Sequence, residues 1–170
     1  MIYQFARQGA CVPGHFAEVG VYRGGTARLL AELRGSKTLF LFDTFTGMPE
    51  TGKADFVQIG DFADTSFEGV KRFVGISDSI RYLPGYFPET AEPIRDETFS
   101  LVHIDVDRAE SATDCCAFFY SRLARGGILL FDDYGHAACA ALTTAVDHFF
   151  ADKPEAVIYL PTGQALVIKR

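Results

Sequence analysis

Hydrophobic positions along the chain change period repeatedly. From residue 15 to the end, short runs rich in β-branched and aromatic residues alternate with stretches whose apolar positions recur every three or four residues. HFAEVG, ending at Gly20, reads as a first strand, GTARLLAELRG as a helix stopped by Gly35, and TLFLFD as a second strand closing at Asp43. SFEGVKRFVG predicts a short helix and SIRYLPG a third strand, while FSLVHIDVD, apolar at nearly every position, predicts a strand buried on both faces. SATDCCAFFYSRLARGG predicts the next helix, with a serine to cap its start and Gly126 and Gly127 at its stop. ILLFDD is a fifth strand, HAACAALTTAVDHFFAD a further helix, and AVIYLPTGQALVIKR two short strands joined at Pro-Thr-Gly. Alternating strands and helices build a mainly parallel sheet, and a terminal hairpin turns one strand back. The expected fold is therefore α/β and Rossmann-like, with seven strands, one of them antiparallel, and helices on both faces.

One segment breaks the alternation. From Thr44 to Thr65 no period persists, and a loop this long in a compact domain usually carries function. It is expected to be a mobile lid, hinged at Gly47, Gly52 and Gly60, with Phe56, Ile59 and Phe62 as its apolar underside. The length of 170 residues corresponds to a single domain, 1–170, in which residues 1–13 form a short N-terminal extension. A composition of 48% hydrophobic and 22% charged residues excludes disorder and collagen-like repeats. The net charge of −6 argues against nucleic acid or an anionic membrane as partner, and the phenylalanines belong to a core rather than to a base-stacking platform. No basic-then-apolar leader and no long apolar run occur, so a cytoplasmic protein is expected. Cys11, Cys115, Cys116 and Cys139 lack metal or redox spacing and read as reduced thiols.

Candidate chemistry begins at Glu18-Val19-Gly20-Val21-Tyr22-Arg23-Gly24-Gly25-Thr26. The glycines lack the spacing of a dinucleotide fingerprint, and no G-K-[ST] ending provides a phosphate cradle for ATP. A glycine after a strand lets backbone approach a ligand, and a glycine pair opening a helix offers N–H groups to a carboxylate. Glu18 supplies the opposite charge, so the loop suits a zwitterionic amino-acid moiety. Asp43 lies 23 residues beyond Gly20, where such folds place the acid that binds ribose hydroxyls. Together they outline a nucleoside joined to an amino acid, as in S-adenosylmethionine (SAM). The candidate cofactor set is Glu18, Gly20, Tyr22, Arg23, Gly24, Thr26, Asp43 and Thr44, with Tyr86 placed to stack on the base.

A second constellation joins His103-Ile104-Asp105-Val106-Asp107 to Phe131-Asp132-Asp133-Tyr134-Gly135, at the carboxyl ends of the fourth and fifth strands. Four carboxylates converging on one mouth require a compensating charge, and an all-oxygen set suits Mg²⁺ or a similar hard divalent cation. Asp105, Asp132 and Asp133 are the candidate metal ligands. Strand alternation puts Asp107 on the side of Asp105, making it a candidate base or orienting residue beside the metal.

The runs EVGVYRGGTA, FDTFTGMPE, GYFPET, HIDVD, RLARGGILLFDDYG and AVDHFF resemble the macrocin-type (TylF) O-methyltransferases, a family of class I SAM-dependent enzymes, from about Gly14 to the C-terminus. The resemblance implies SAM as methyl donor, a divalent ion held by Asp105, Asp132 and Asp133, Asp105 and Asp107 as catalytic residues with Asp107 as general base, and a small-molecule acceptor with a hydroxyl on a sugar or natural product. A catechol-type O-methyltransferase and a minimal SAM-binding or interaction module without methyl transfer are the alternatives. Two departures stand out. Only about 13 residues precede Gly14 where related chains carry a further acceptor-side region, so a homo-oligomer is expected to complete the acceptor wall together with the lid. Where many members read D-x-D-L-Y-E-S, this chain has Asp107-Arg108-Ala109-Glu110-Ser111.

Overall fold

A computed structural model describes residues 1–170. Twelve regular elements follow one another: α1 (Ile2–Ala10), β1 (His15–Val19), α2 (Gly25–Leu33), β2 (Leu39–Asp43), α3 (Phe67–Val74), β3 (Ile80–Pro84), β4 (Phe99–Ile104), α4 (Ala109–Phe119), β5 (Leu123–Phe131), α5 (Ala140–Phe150), β6 (Ile158–Tyr159) and β7 (Ala165–Ile168). The strands form one sheet in the order β3-β2-β1-β4-β5-β7-β6. β1 to β5 pair in parallel, whereas β7 runs antiparallel to both β5 and β6. The expected α/β fold, with seven strands and one reversed, is the fold observed.

Strand alternation explains why both faces are covered. In β2, Leu39 and Leu41 point to the core shared with α1, α2 and α3, while Phe40 and Phe42 point to the core shared with α4 and α5. All four are buried, so a period-2 pattern is hidden within a continuous apolar run. Phe42, Phe87, Phe99 and Phe119 form an edge-to-face and stacked aromatic cluster on the second face. No helix is long and apolar enough to cross a membrane.

Two expectations, the cap of α4 and the role of Gly126 and Gly127, are corrected, and the N-terminal extension is helical. Residues 1–13 contain α1, whose buried side is made of Ala6 and Gly9. A Cβ on Gly9 would stand 3.0 Å from Leu101 Cβ, so small residues let this helix lie close on the sheet. α4 starts two residues before Ser111, at Ala109, whose N–H donates to Asp55 Oδ1 at 3.2 Å, so the cap comes from a distant loop rather than from the serine. Gly126 and Gly127 do not stop a helix. They lie inside β5, where Gly126 has φ +81° and a Cβ on Gly127 would meet Ala124 O at 2.8 Å, opposite a register shift between Phe99 and Leu101. The glycines accommodate a bulge.

Candidate active site

The chain leaves β1 toward β2 and β3 and later returns to β4 on the other side of β1, which opens a crevice at the carboxyl ends of these strands. Gly20, Tyr22, Asp43, Thr44 and Tyr86 line one part of it, and Asp105 and Asp107 another. Asp43 organises the first part. Its Oδ2 accepts the N–H groups of Val21 and Tyr22 at 2.7 and 2.8 Å, and its Oδ1 accepts Phe45 N–H at 2.6 Å. Tyr22 and Phe45 have φ of +51° and +56°, so one carboxylate stabilises two turns in a sparsely populated conformation. Oδ1 retains a lone pair. Thr44 closes a local turn, its hydroxyl donating to Gly47 O at 2.7 Å.

The glycines of this loop also carry packing tasks. Gly20 has φ +86°, and a Cβ there would sit 1.7 Å from Asp105 O, so it lets the β1 and β4 ends approach each other, and it also lines the crevice. Gly24 has its N–H bonded to Val21 O and faces Val70 and Val74 of α3. The N–H groups of Gly25 and Thr26, in the first turn of α2, find no acceptor in the chain. Arg23 is exposed and pairs with Asp64, whose other oxygen accepts Tyr22 Oη–H at 2.6 Å. Glu18 is buried and lies outside the crevice lining, with its carboxylate 2.9 Å from His103 Nδ1. Of the three apolar loop residues, Phe62 lines the crevice and meets Tyr22 edge-on at 5.3 Å, whereas Phe56 and Ile59 face solvent at 69% and 71% exposure.

The carboxylates converge as expected. β4 ends at Ile104, so Asp105 and Asp107 lie just beyond it, and Asp132 and Asp133 lie just beyond β5. Oxygens of Asp105, Asp132 and Asp133 lie within 4.8 Å of one another, and a second group within that span joins Asp107, Asp133 and Cys139. Burial, together with the neighbouring acids, pushes Asp105 well above the usual carboxylate range. Burial and the charges of Asp133, Asp132 and Asp61 push Asp107 up to about 7. Asp132 is held low by the His103 ring 3.5 Å away and by Gln164 Nε2, which donates to its Oδ1 at 2.5 Å, against its own burial. For His103, burial opposes the charge, but Asp132, Glu18 and Asp105 outweigh it and raise the ring to about 10. The buried His103 ring, whose protonated form these carboxylates favour, lies beneath the acidic mouth. Asp133 Oδ2 is buried without a hydrogen-bond partner. Clustered oxygens, an orphaned carboxylate atom and the raising of Asp105 and Asp133 by burial and by neighbouring acids fit a hard divalent cation.

Asp107 reaches the crevice by an unusual turn. Arg108 N donates to Val106 O at 2.6 Å, making Asp107, with φ +58°, the centre of a three-residue turn. Sequence reasoning missed the residues that support the site from outside, namely Gln164, Asp64, Asp55 and the side chain of Arg108. Only the departure at Arg108 was visible in the sequence, and the others are distant loop residues with no local signature.

Comparison with known proteins yields consistent matches. The profile of the macrocin O-methyltransferase family (TylF) matches residues 6–154. A tetracenomycin-C-series rhamnosyl 4'-O-methyltransferase of Streptomyces olivaceus is 30% identical over 145 residues, covering 75% of this chain and 56% of its own length. The demethyldecarbamoylnovobiocin O-methyltransferase of Streptomyces niveus is 28% identical over 157 residues, covering 82% of this chain and 59% of its own. The chain thus spans less than two thirds of these curated relatives. Among solved structures, the O-methyltransferase NovP superposes with a TM-score of 0.87 at 26% identity, over 99% of this chain and 77% of that one.

Proposed function

Since the chain belongs to the macrocin O-methyltransferase (TylF) family, we propose that it transfers a methyl group from SAM to a hydroxyl of a sugar or other natural-product small molecule. The observation that carries this reading is a single crevice lined at one part by Asp43 and Tyr86 and at another by Asp105 and Asp107, with Asp132 and Asp133 clustered beside these acids. In this reading the open N–H groups of Gly25 and Thr26 and the free lone pair of Asp43 are donors and acceptor for the methyl donor, and Tyr86 borders its base. Glu18 then acts through His103 rather than by direct contact.

Asp105, Asp132 and Asp133 would hold a divalent cation. When bound, that ion supplies positive charge beside the acceptor oxygens and favours the deprotonated hydroxyl. Asp107 takes the hydroxyl proton on its carboxylate, and a carboxyl raised toward neutrality is well matched to that exchange. Methyl transfer from a sulfonium is an in-line displacement, so the remaining contribution of the chain is orientation and exclusion of water. Phe62 and the walls of the 44–65 loop border the crevice on the side where that exclusion is needed.

The test combines the protein with SAM, Mg²⁺ and a panel of glycosides bearing vicinal hydroxyls, read by mass spectrometry with and without EDTA. Methylated product that disappears on chelation and returns with Mg²⁺ is the expected result. Transfer that persists in EDTA would remove the metal from the reading, and absence of both product and S-adenosylhomocysteine binding would remove the activity.

A further inference from the structure

Arg108 is the bulkiest fully buried side chain that the proposed reaction leaves unused. It is only 2% exposed, yet it is charged, and it lines no part of the crevice. A buried guanidinium is retained only where its donors are matched. Here Nε donates to Asp55 Oδ2 at 3.3 Å, one terminal nitrogen donates to Glu50 at 3.3 Å and to Tyr86 Oη at 2.7 Å, with Ser111 Oγ at 3.4 Å, and the other donates to Glu110 at 3.2 Å. These partners come from separate parts of the molecule. Glu50 and Asp55 belong to the 44–65 loop, Tyr86 and Ser111 are crevice walls, and the backbone of Arg108 closes the turn that presents Asp107.

We infer that Arg108 is a positioning residue that locks the 44–65 loop against the crevice, holding Tyr86 and the Asp107 turn in register from behind. Asp55 is the other half of the lock. Its Oδ1 accepts Ala109 N–H at the start of α4 and its Oδ2 accepts Gly52 N–H at 2.7 Å, so one carboxylate joins loop, helix and guanidinium. It is itself nearly buried, with its side chain 5% exposed. The loop therefore meets the domain through a desolvated ion pair, in contrast to the exposed Arg23–Asp64 pair at its far end. Breaking a buried pair leaves an uncompensated charge, so release of one partner favours release of the loop. The inference rests on the crevice being the SAM site, and the measurements below separate the two.

S-adenosylhomocysteine affinity by calorimetry and trypsin cleavage after the exposed Lys53 are measured for the wild type, Arg108→Lys, Arg108→Met, Asp55→Asn, and the triple variant Arg108→Met/Glu50→Gln/Asp55→Asn. Arg108→Met and Asp55→Asn are expected to weaken binding about tenfold or more and to speed cleavage at Lys53, with Arg108→Lys recovering part of both. The triple variant carries no orphaned buried charge, since Glu110, the partner that remains, is exposed to solvent, yet it is expected to stay weak and open. Wild-type affinity and protection in the triple variant would overturn the inference, because Arg108 would then only balance charge. Unchanged binding and cleavage in Asp55→Asn would overturn it as well, and this variant decides the matter if Arg108→Met does not fold. A wild type that does not bind S-adenosylhomocysteine defeats the SAM reading instead, and the Lys53 cleavage still reports on the lock.

Discussion

At the scale of single residues, the site depends on positions where backbone and side chain are held against their ordinary preferences. Gly20→Ala would drive a Cβ to 1.7 Å from Asp105 O at a φ of +86°. Neither strand end can yield without disturbing a central ladder, so the variant should lose at least about 3 kcal/mol in urea unfolding. A loss below about 1 kcal/mol would show that the two strand ends are not packed as described. Asp43→Asn keeps the shape of the side chain but replaces one acceptor oxygen and removes the charge that faces three N–H groups. Charged hydrogen bonds of this kind contribute on the order of 1.5 to 3 kcal/mol, and a loss in that range is expected. It should be accompanied by weaker S-adenosylhomocysteine binding in calorimetry, and unchanged stability and affinity together would discard the organising role.

At the scale of elements, the C-terminal hairpin completes the sheet and also delivers Gln164 to Asp132. Its far end is tied down by Glu155, a buried carboxylate that accepts Tyr120 Oη–H at 2.7 Å and Arg170 N–H at 3.2 Å, with Lys169 Nζ 3.7 Å away. Burial opposes its charge, but these partners hold it below its ordinary value of 4.5. A carboxyl lowered on folding adds stability that is fully present above the unfolded value and is lost as pH falls through the folded one. Chemical denaturation should therefore show wild type more stable than Glu155→Gln by a constant margin between about pH 5.5 and 7, shrinking below about 4.5. A margin independent of pH down to 3 would mean that the carboxylate charge contributes nothing.

At the scale of the whole molecule, the distribution of charge matters more than its sum. A net charge of −6 is modest, yet Asp105, Asp132 and Asp133 share one mouth, with the buried ring of His103 beneath them. A ligand that binds only the folded chain raises its stability by mass action. Mg²⁺ should raise the melting temperature of wild type by several degrees, and Asp132→Asn/Asp133→Asn should abolish that response. Without metal, Asp133→Asn alone should unfold no earlier than wild type, since it removes a carboxyl raised by burial and by Asp132, whereas Asp132→Asn takes a partner from His103 and Gln164 and should unfold earlier. Retention of the Mg²⁺ response in the double variant would sink the assignment of the ligands.

The order of strands and helices, the reversed hairpin strand and the approach of Asp43, Asp105, Asp107, Asp132 and Asp133 to one sheet edge were legible in the sequence. Strand ends are written in local patterns of apolar runs, and the carboxyl ends of parallel strands meet wherever such a sheet forms. What each group touches there was decided by the tertiary structure. Glu18 pairs with a histidine one strand away, Gly20 makes room for the Asp105 carbonyl, and Gly24 for α3. Arg108 gathers carboxylates from a loop more than fifty residues earlier. α1 carries a helical period at Ile2, Phe5, Ala6 and Ala10, which a reading that began at residue 15 did not cover, and the close approach of Gly9 to Leu101 is visible only in the folded chain. Local sequence sets a residue's conformation and its place along an element, whereas the partner that satisfies a buried charge or fills the space beside a glycine comes from elsewhere in the chain, and only folding brings it there.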